Sequence, residues 1–233
     1  MLYISYLVPA ARIRGLVPEI LPLSIVRGDK AFVSIVLLNS SQARLNWLPY
    51  PSFDYNQINI RTYIKDPQSN NQAVYFLRSG VTSKFISLAT RAIGVPWERI
   101  SCEFKIDADK ESNYKSYKAL GHWSGDFSIS AASKPGTPVK PAPFADLKSA
   151  TDYLIRPLLG FYGRNEKVSR FRIQHPDIEP SVGQLQAFDF PVFKDMELVD
   201  KPESCSPHSV FIVPRAQFRI YLPASRLDSR LSK

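Results

Sequence analysis

The chain has 233 residues, with 44% apolar and 22% charged residues and a formal net charge of +9, the ordinary balance of a folded chain with a sizeable core. No stretch approaches the roughly 18 uncharged apolar residues of a membrane helix, and the start MLYISYLVPAARIRG lacks a signal peptide's basic n-region and apolar stretch, so a cytoplasmic protein away from membranes is expected. The positive charge is dispersed, with 11 Lys+Arg against 5 Asp+Glu in residues 1–100, 13 against 14 in 101–200 and 6 against 2 in 201–233; without a basic run, it argues against a nucleic-acid partner.

Short segments rich in Val, Ile, Tyr and Phe recur along the chain, which predicts a β-dominated α+β fold. Tyr3–Val8 reads as a strand and Pro9–Leu16 as a short helix. Leu23–Val26 and Ala31–Leu38 form a hairpin around Arg27-Gly28-Asp29-Lys30. That RGD triplet reads as a hairpin tip, since Gly-Asp supplies the backbone angles of a tight turn. Asn39–Asp54, with Trp47 and two prolines, is expected to be a loop. Tyr55–Lys65 and Ala73–Arg78 are predicted strands across the polar turn Asp66–Gln72. Val81–Ile93 is a predicted helix, with Phe85, Leu88, Ala89 and Ile93 on its apolar face, Thr82 or Ser83 as its N-cap and Gly94 as its stop.

Strands are predicted at Arg99–Lys105, Asn113–Leu120 (after the polar turn Asp107–Ser112) and His122–Ala131. Ser133–Pro143 is expected to be a Pro-rich surface loop and Asp146–Ile155 a second helix. A hairpin joins Gly160–Arg164 to Lys167–Gln174. Ser209–Leu222 reads as the last strand material, with Pro214 at a bulge or edge, and residues 228–233 as a frayed tail. With no repeat and no convincing linker, 1–233 is read as a single domain.

Some residues carry chemistry by type and position. In strand Tyr55–Lys65, Ile58, Ile60, Thr62 and Ile64 face one way, while Gln57, Asn59, Arg61 and Tyr63 face the other. Such a strand either shows a solvated face over a core or lines a ligand cavity inside a barrel. In the second case Arg61 suits a carboxylate or phosphate, because a guanidinium donates two parallel hydrogen bonds. Glu98, if desolvated, would have a raised pKa and could act as acid or base with Arg61 or Arg91; alternatively it pairs with Arg91 or Arg99. Cys102 and Cys205 stand far apart outside any CxxC spacing, and Cys102 reads as a small buried hydrophobe. His122, His175 and His208 show no metal-ligand spacing, so neither a metal nor a cofactor is expected.

The run of strand, hairpin, strand, helix and returning strand from Pro51 to Lys105, with Gly94-Val95-Pro96-Trp97-Glu98 after the helix, resembles the acetoacetate decarboxylase-like superfamily. It is closest to the branch of uncharacterised DUF2071 (YqjF-like) proteins. The matching motifs are Asn59-Ile60-Arg61-Thr62-Tyr63, Val74-Tyr75-Phe76 and Thr90-Arg91-Ala92-Ile93-Gly94-Val95-Pro96. Asp152–Tyr162 and Phe171–Pro176 match loosely, with Asp177 where the family pattern has a tryptophan. The resemblance implies a cone-shaped closed β-barrel flanked by helices, with a central pocket. Decarboxylases of the superfamily carry a lysine pair directly after the Gly-x-Pro turn. Those positions are Trp97 and Glu98 here, which removes imine chemistry.

On this reading the barrel binds a small-molecule ligand, a small organic acid or related metabolite, through Asn59, Arg61, Tyr63, Tyr75 and Trp97. Arg91 and His175, the one histidine that the family pattern supports, complete the candidate set. The rival readings are a lyase or hydratase using Glu98, and a structural or interaction protein whose barrel is filled by its own side chains. Homo-oligomers are common in the superfamily, which points towards self-association.

Overall fold

The structure is a computed structural model that describes all residues except 46–47, 110–113, 135, 137–141, 165–166 and 228–233. The predicted tail, most of the predicted Pro-rich loop and much of the predicted turn Asp107–Ser112 therefore lie outside the described residues. Among the described residues fourteen strands form one mixed sheet. In chain order they are β1 (Leu2–Pro9), β2 (Ile25–Arg27), β3 (Lys30–Leu45), β4 (Leu48–Lys65), β5 (Gln72–Val81), β6 (Glu98–Arg99), β7 (Ser101–Ala108), β8 (Tyr114–His122), β9 (Asp126–Ser133), β10 (Leu159–Arg164), β11 (Lys167–Gln174), β12 (Ser181–Asp189), β13 (Ser209–Ile212) and β14 (Arg219–Arg226). The helices are α1 (Ala10–Arg14), α2 (Lys84–Ala92), α3 (Leu147–Leu154), α4 (Pro191–Asp195) and α5 (Lys201–Ser204). None of them is long and apolar enough to cross a membrane.

The strand order is β14-β11-β10-β5-β4-β3-β1-β13-β12-β9-β8-β7, with β2 on β3 and β6 on β5 off this path. Among the described residues hydrogen bonds do not join β7 to β14, so the expected closed barrel is not found as a continuous ladder. Both faces of the sheet are buried. One carries the main core, with Leu2, Ile4, Ile35, Ile58, Ile60, Ala119, Ile129 and Phe190. The other packs Phe32, Val36, Tyr63 and Val74 against Phe144 and α3 residues Ala150 and Leu154.

Three expectations need correction. The predicted loop Asn39–Asp54 is strand: β3 and β4 continue as a hairpin arm, with register shifts between Ser40 and Ala43 and between Ala43 and Leu45. Gln42 takes a left-handed φ of 56° at this irregularity. Among the described residues β5 pairs with β4 only from Gln57 onward, so on that side the arm is a sheet edge, where prolines are tolerated.

The second correction concerns α2. Its ends are as predicted, for Ser83 Oγ accepts from Ile86 N and Gly94 follows with φ 81°. Its buried face, however, is Ile86, Ser87 and Thr90, while Phe85 and Ile93 are exposed and Leu88 is 72% exposed. The small polar residues bond inward, Ser87 Oγ to Trp97 O at 3.0 Å and Thr90 Oγ1 to Ile86 O at 2.7 Å, which lets the helix lie close to the sheet.

The third is the C-terminal strand material. Ser209–Leu222 divides into β13, paired with β1 and β12, and β14, paired with β11. The intervening Val213–Phe218, which contains Pro214, is not strand. Strands β7, β8 and β9 lie at 101–108, 114–122 and 126–133, somewhat later than predicted, and β12, α4 and α5 are additional elements.

Candidate functional site

Strand β4 supplies the centre. The alternation holds, but the polar face is not solvated: Gln57, Asn59, Arg61 and Tyr63 are all buried. They lie on the face covered by α3. That helix ends at Leu154, and a helix end leaves its last carbonyls without intrahelical donors. Arg61 Nη2 donates to Leu154 O at 2.7 Å, and Tyr63 OH donates to the same oxygen at 2.8 Å. Tyr63 OH also contacts Ser34 Oγ at 2.7 Å, and Ser34 Oγ contacts Ser5 Oγ at 2.7 Å. Because the tyrosine has one proton and gives it to Leu154 O, Ser34 must donate to Tyr63, and Ser5 to Ser34.

The Arg61 guanidinium lies 5.2 Å from the Tyr3 ring and 5.7 Å from the Tyr63 ring, a favourable cation–π arrangement. Burial pushes the Tyr3 hydroxyl above its usual pKa, with the Arg61 charge and hydrogen bond acting the other way. Arg61 is 6% exposed, yet among the described residues no carboxylate pairs with it. Its Nε–H is buried with no acceptor. Ser79, opposite Asn59 across β4–β5, is also buried, and its Oγ has no partner. Gln57 Nε2 donates to Asn59 Oδ1 at 2.9 Å.

The other candidate residues divide between the two faces. Trp97 packs beside Val95, Tyr162, Phe171 and Ile173, in a group that Phe76 and Phe218 also join. Phe76 is the cross-strand partner of Arg61 and packs against the α3-side core as well, so Arg61 and Trp97 flank one continuous surface. His175 adjoins the same group through Phe218, with ring centroids 5.2 Å apart. Its Nδ1 lies 2.8 Å from Pro176 O, which fixes the proton on Nδ1, and Nε2 is buried without a partner. Exposed Arg91 donates from Nε to Trp97 O at 3.3 Å. Tyr75 belongs to the main core, and its hydroxyl donates to Gly163 O at 2.5 Å.

Glu98 lies on the other face from Arg61, and of its two readings, a desolvated acid or an ion pair, the ion pair is the one found, with a lowered pKa. The register shift between β4 and β5 leaves Leu77 without an opposite residue and sets Arg78 opposite Ile60, which turns Arg78 to the main-core face. There Arg78 Nε and Nη2 donate to the two Glu98 oxygens at 2.9 and 2.6 Å, and Trp123 Nε1 donates to Oε2 at 2.9 Å. Burial alone would raise the Glu98 pKa, but these bonds and the charges of Arg78 and Arg91 hold it below the ordinary value. The partner is Arg78 rather than Arg91 or Arg99. Arg78 also lies 5.1 Å from the Trp123 ring. Neither Arg78 nor Trp123 is identifiable from sequence, because only the bulge in β5 and the turn between β8 and β9, which carries Trp123, bring them to Glu98.

A carboxylate with a depressed folded pKa stabilises fully above its unfolded value and loses that contribution as pH falls through the folded one. Glu98→Gln is therefore expected to lower stability by about 1 kcal/mol near neutral pH, the scale of a half-exposed bidentate pair. The gap from wild type should narrow as pH falls below the ordinary glutamate range and through the lowered folded value, and thermal melts across acid pH measure it. Cys102 is half-buried, and burial pushes its thiol up to about 12 despite nearby Arg99, which suits an inert thiol.

The profile of DUF2071, described as an uncharacterized conserved protein, matches residues 1–216. The chain belongs to the DUF2071 family. Among curated proteins, none matches it. Solved structures share its fold. An acetoacetate decarboxylase-like enzyme from Sphingomonas wittichii RW1 is 11% identical with a TM-score of 0.61, over 98% of this chain and 93% of that one. Acetoacetate decarboxylase from Legionella pneumophila is 10% identical with a TM-score of 0.58, over 97% and 84%. The enduracididine biosynthesis enzyme MppR with HEPES buffer bound is 10% identical with a TM-score of 0.58, over 97% and 84%. The large, mostly β mixed sheet of this DUF2071 chain is thus of the acetoacetate decarboxylase-like type.

Proposed function

We propose that this DUF2071 protein binds a small organic acid, with the carboxylate held by Arg61. The observation that carries this reading is the buried Arg61 guanidinium, which among the described residues has no carboxylate partner and whose Nε–H has no acceptor there. A buried charge left without a counter-charge costs several kcal/mol, roughly, even after relaxation. The C-terminal dipole of α3 offsets about half a charge of it, and a ligand carboxylate supplies the remainder. Asn59, Tyr63 and Ser79 surround the head group, Trp97 and His175 border the rest of the site, and Arg91 steadies the turn that carries Trp97.

In this reading the sheet curls into the cone of its relatives, consistent with β6 returning to pair with β5 at Gly80–Glu98 and Val81–Arg99. MppR has been captured with HEPES and with a condensation product of pyruvate and imidazole 4-carboxaldehyde, ligands that make a small anionic guest a reasonable parallel. Binding without imine formation follows from Trp97, whose indole nitrogen cannot condense with a carbonyl, and from the ion-paired Glu98 beside it.

The test is ligand-observed NMR and calorimetry with acetate. Saturable binding at millimolar concentration is expected for wild type, with loss of binding in Arg61→Met. Equal affinity in the two proteins would remove Arg61 from the site and overturn the reading.

A further inference from the structure

We infer that the acid taken at Arg61 is an aryl carboxylate, whose ring lies against the aromatic surface beginning at Phe76; this rests on the carboxylate reading above. Phe76 stands directly opposite Arg61 on the same face of β4–β5. Side chains so placed have Cβ atoms about 5 Å apart, so a group bound by the guanidinium extends over the Phe76 ring. Phe76 stacks on Phe171, with ring centroids 5.6 Å apart and planes 29° apart, and Phe171 in turn meets Tyr162 at 5.8 Å. Trp97 and Phe218 pack against the same cluster.

What separates this group from ordinary core is its exposure. Phe171 and Tyr162 are buried, whereas Phe76, Trp97 and Phe218 each keep part of their surface accessible. Elsewhere on this face Phe32, Tyr63 and Phe211 are completely buried, and Tyr153 is partly buried among them. Large aromatic side chains grouped and partly exposed beside a buried cation that has no carboxylate partner among the described residues form an amphipathic surface: a charged head fits Arg61 and Ser79, and a flat apolar body fits the rings. Aromatic surfaces favour a stacked or edge-on ring over an aliphatic body of equal size. A short aliphatic acid would satisfy the cation and leave the aromatic surface uncovered.

Acetate, phenylacetate and cyclohexylacetate, titrated into the full-length protein, test this. Phenylacetate is expected to bind at least tenfold more tightly than acetate, with cyclohexylacetate in between. Phe76→Ala should reduce the phenylacetate advantage to less than threefold without changing acetate affinity. Phe76→Leu, which keeps the apolar volume, should give the same direction of change if the alanine variant folds poorly. Arg61→Met should lose all three acids. If acetate and phenylacetate bind alike and both require Arg61, the aryl assignment falls while the carboxylate reading stands. Cyclohexylacetate binding as well as phenylacetate also overturns the aryl assignment, as does an advantage untouched by either Phe76 variant. Binding of none of the acids overturns both readings.

Discussion

Replacing Arg61 with Met is expected to abolish acetate binding while shifting the melting temperature by no more than about 3 °C in either direction. The two readouts together separate a ligand group from a structural one. If Arg61 served only to hold the end of α3, its loss would leave buried acceptors without a donor and cost roughly 2–4 kcal/mol. The geometry gives a different forecast. Leu154 O keeps the Tyr63 hydroxyl as donor at 2.8 Å, so no carbonyl is orphaned. Removing an uncompensated buried charge and placing an apolar side chain between Tyr3 and Tyr63 recovers what the lost hydrogen bond and cation–π contacts contributed. Affinity should fall by more than tenfold, since the carboxylate loses its one buried cationic partner among the described residues. Retained acetate binding, or a fall in melting temperature beyond about 8 °C, would assign Arg61 to the fold instead.

The sequence made Arg61 visible because β4 is regular there. From Tyr55 to Lys65 the period-2 pattern runs unbroken, so both the strand and its polar face could be read directly. That the face is buried could not be read, since burial comes from α3, some ninety residues away, whose terminal carbonyl meets Arg61 and Tyr63. Glu98 was visible as a residue type but not in its setting. One unpaired residue, Leu77, redirects Arg78 to the other face of β5, and a single-residue irregularity leaves no mark in local composition.

The readings of α2 and of the arm are linked through one contact. Phe85, on the helix face that periodicity marked as buried, stacks on Phe53 of β4 at 4.7 Å with planes 10° apart. Phe53 lies in the segment read as a loop. With that segment read as a loop, the Phe53–Phe85 contact is not foreseeable, and the apolar pattern alone points Phe85 and Leu88 to the sheet. The sheet instead receives Ser87 and Thr90. Turn and cap chemistry was more reliable, because it is local. Ser83 at the start of α2, Gly94 after it, and Asp146 with Ser149 in the capping box of α3 all act where sequence placed the helix ends.

Gly160→Val is expected to destabilise the protein by about 3 kcal/mol and to erase the preference for phenylacetate over acetate. Gly160 pairs with Phe171 on β11 and with Val74 on β5. The Phe171 ring lies across its bare backbone, so that a Cβ at residue 160 would come within 2.4 Å of the ring tip and within 2.9 Å of two further ring carbons. The ring cannot withdraw by a small rotation, being packed between Tyr162 and Phe76, so it must leave its place and take the Phe76 stack with it. Among the described residues strand β10 is the link in the ladder between β5 and β11, and strain at Gly160 therefore loosens the side of the sheet that bears Trp97's neighbours. Gly15→Ala provides the control, for nothing lies within 4 Å of a Cβ there and the backbone is already right-handed; it should be neutral or slightly stabilising. Chemical denaturation of both variants, with acetate and phenylacetate titrations below the transition, measures the two effects. A Gly160→Val protein that keeps wild-type stability or the full aryl preference would show that Phe171 does not fix the aromatic surface beside Arg61.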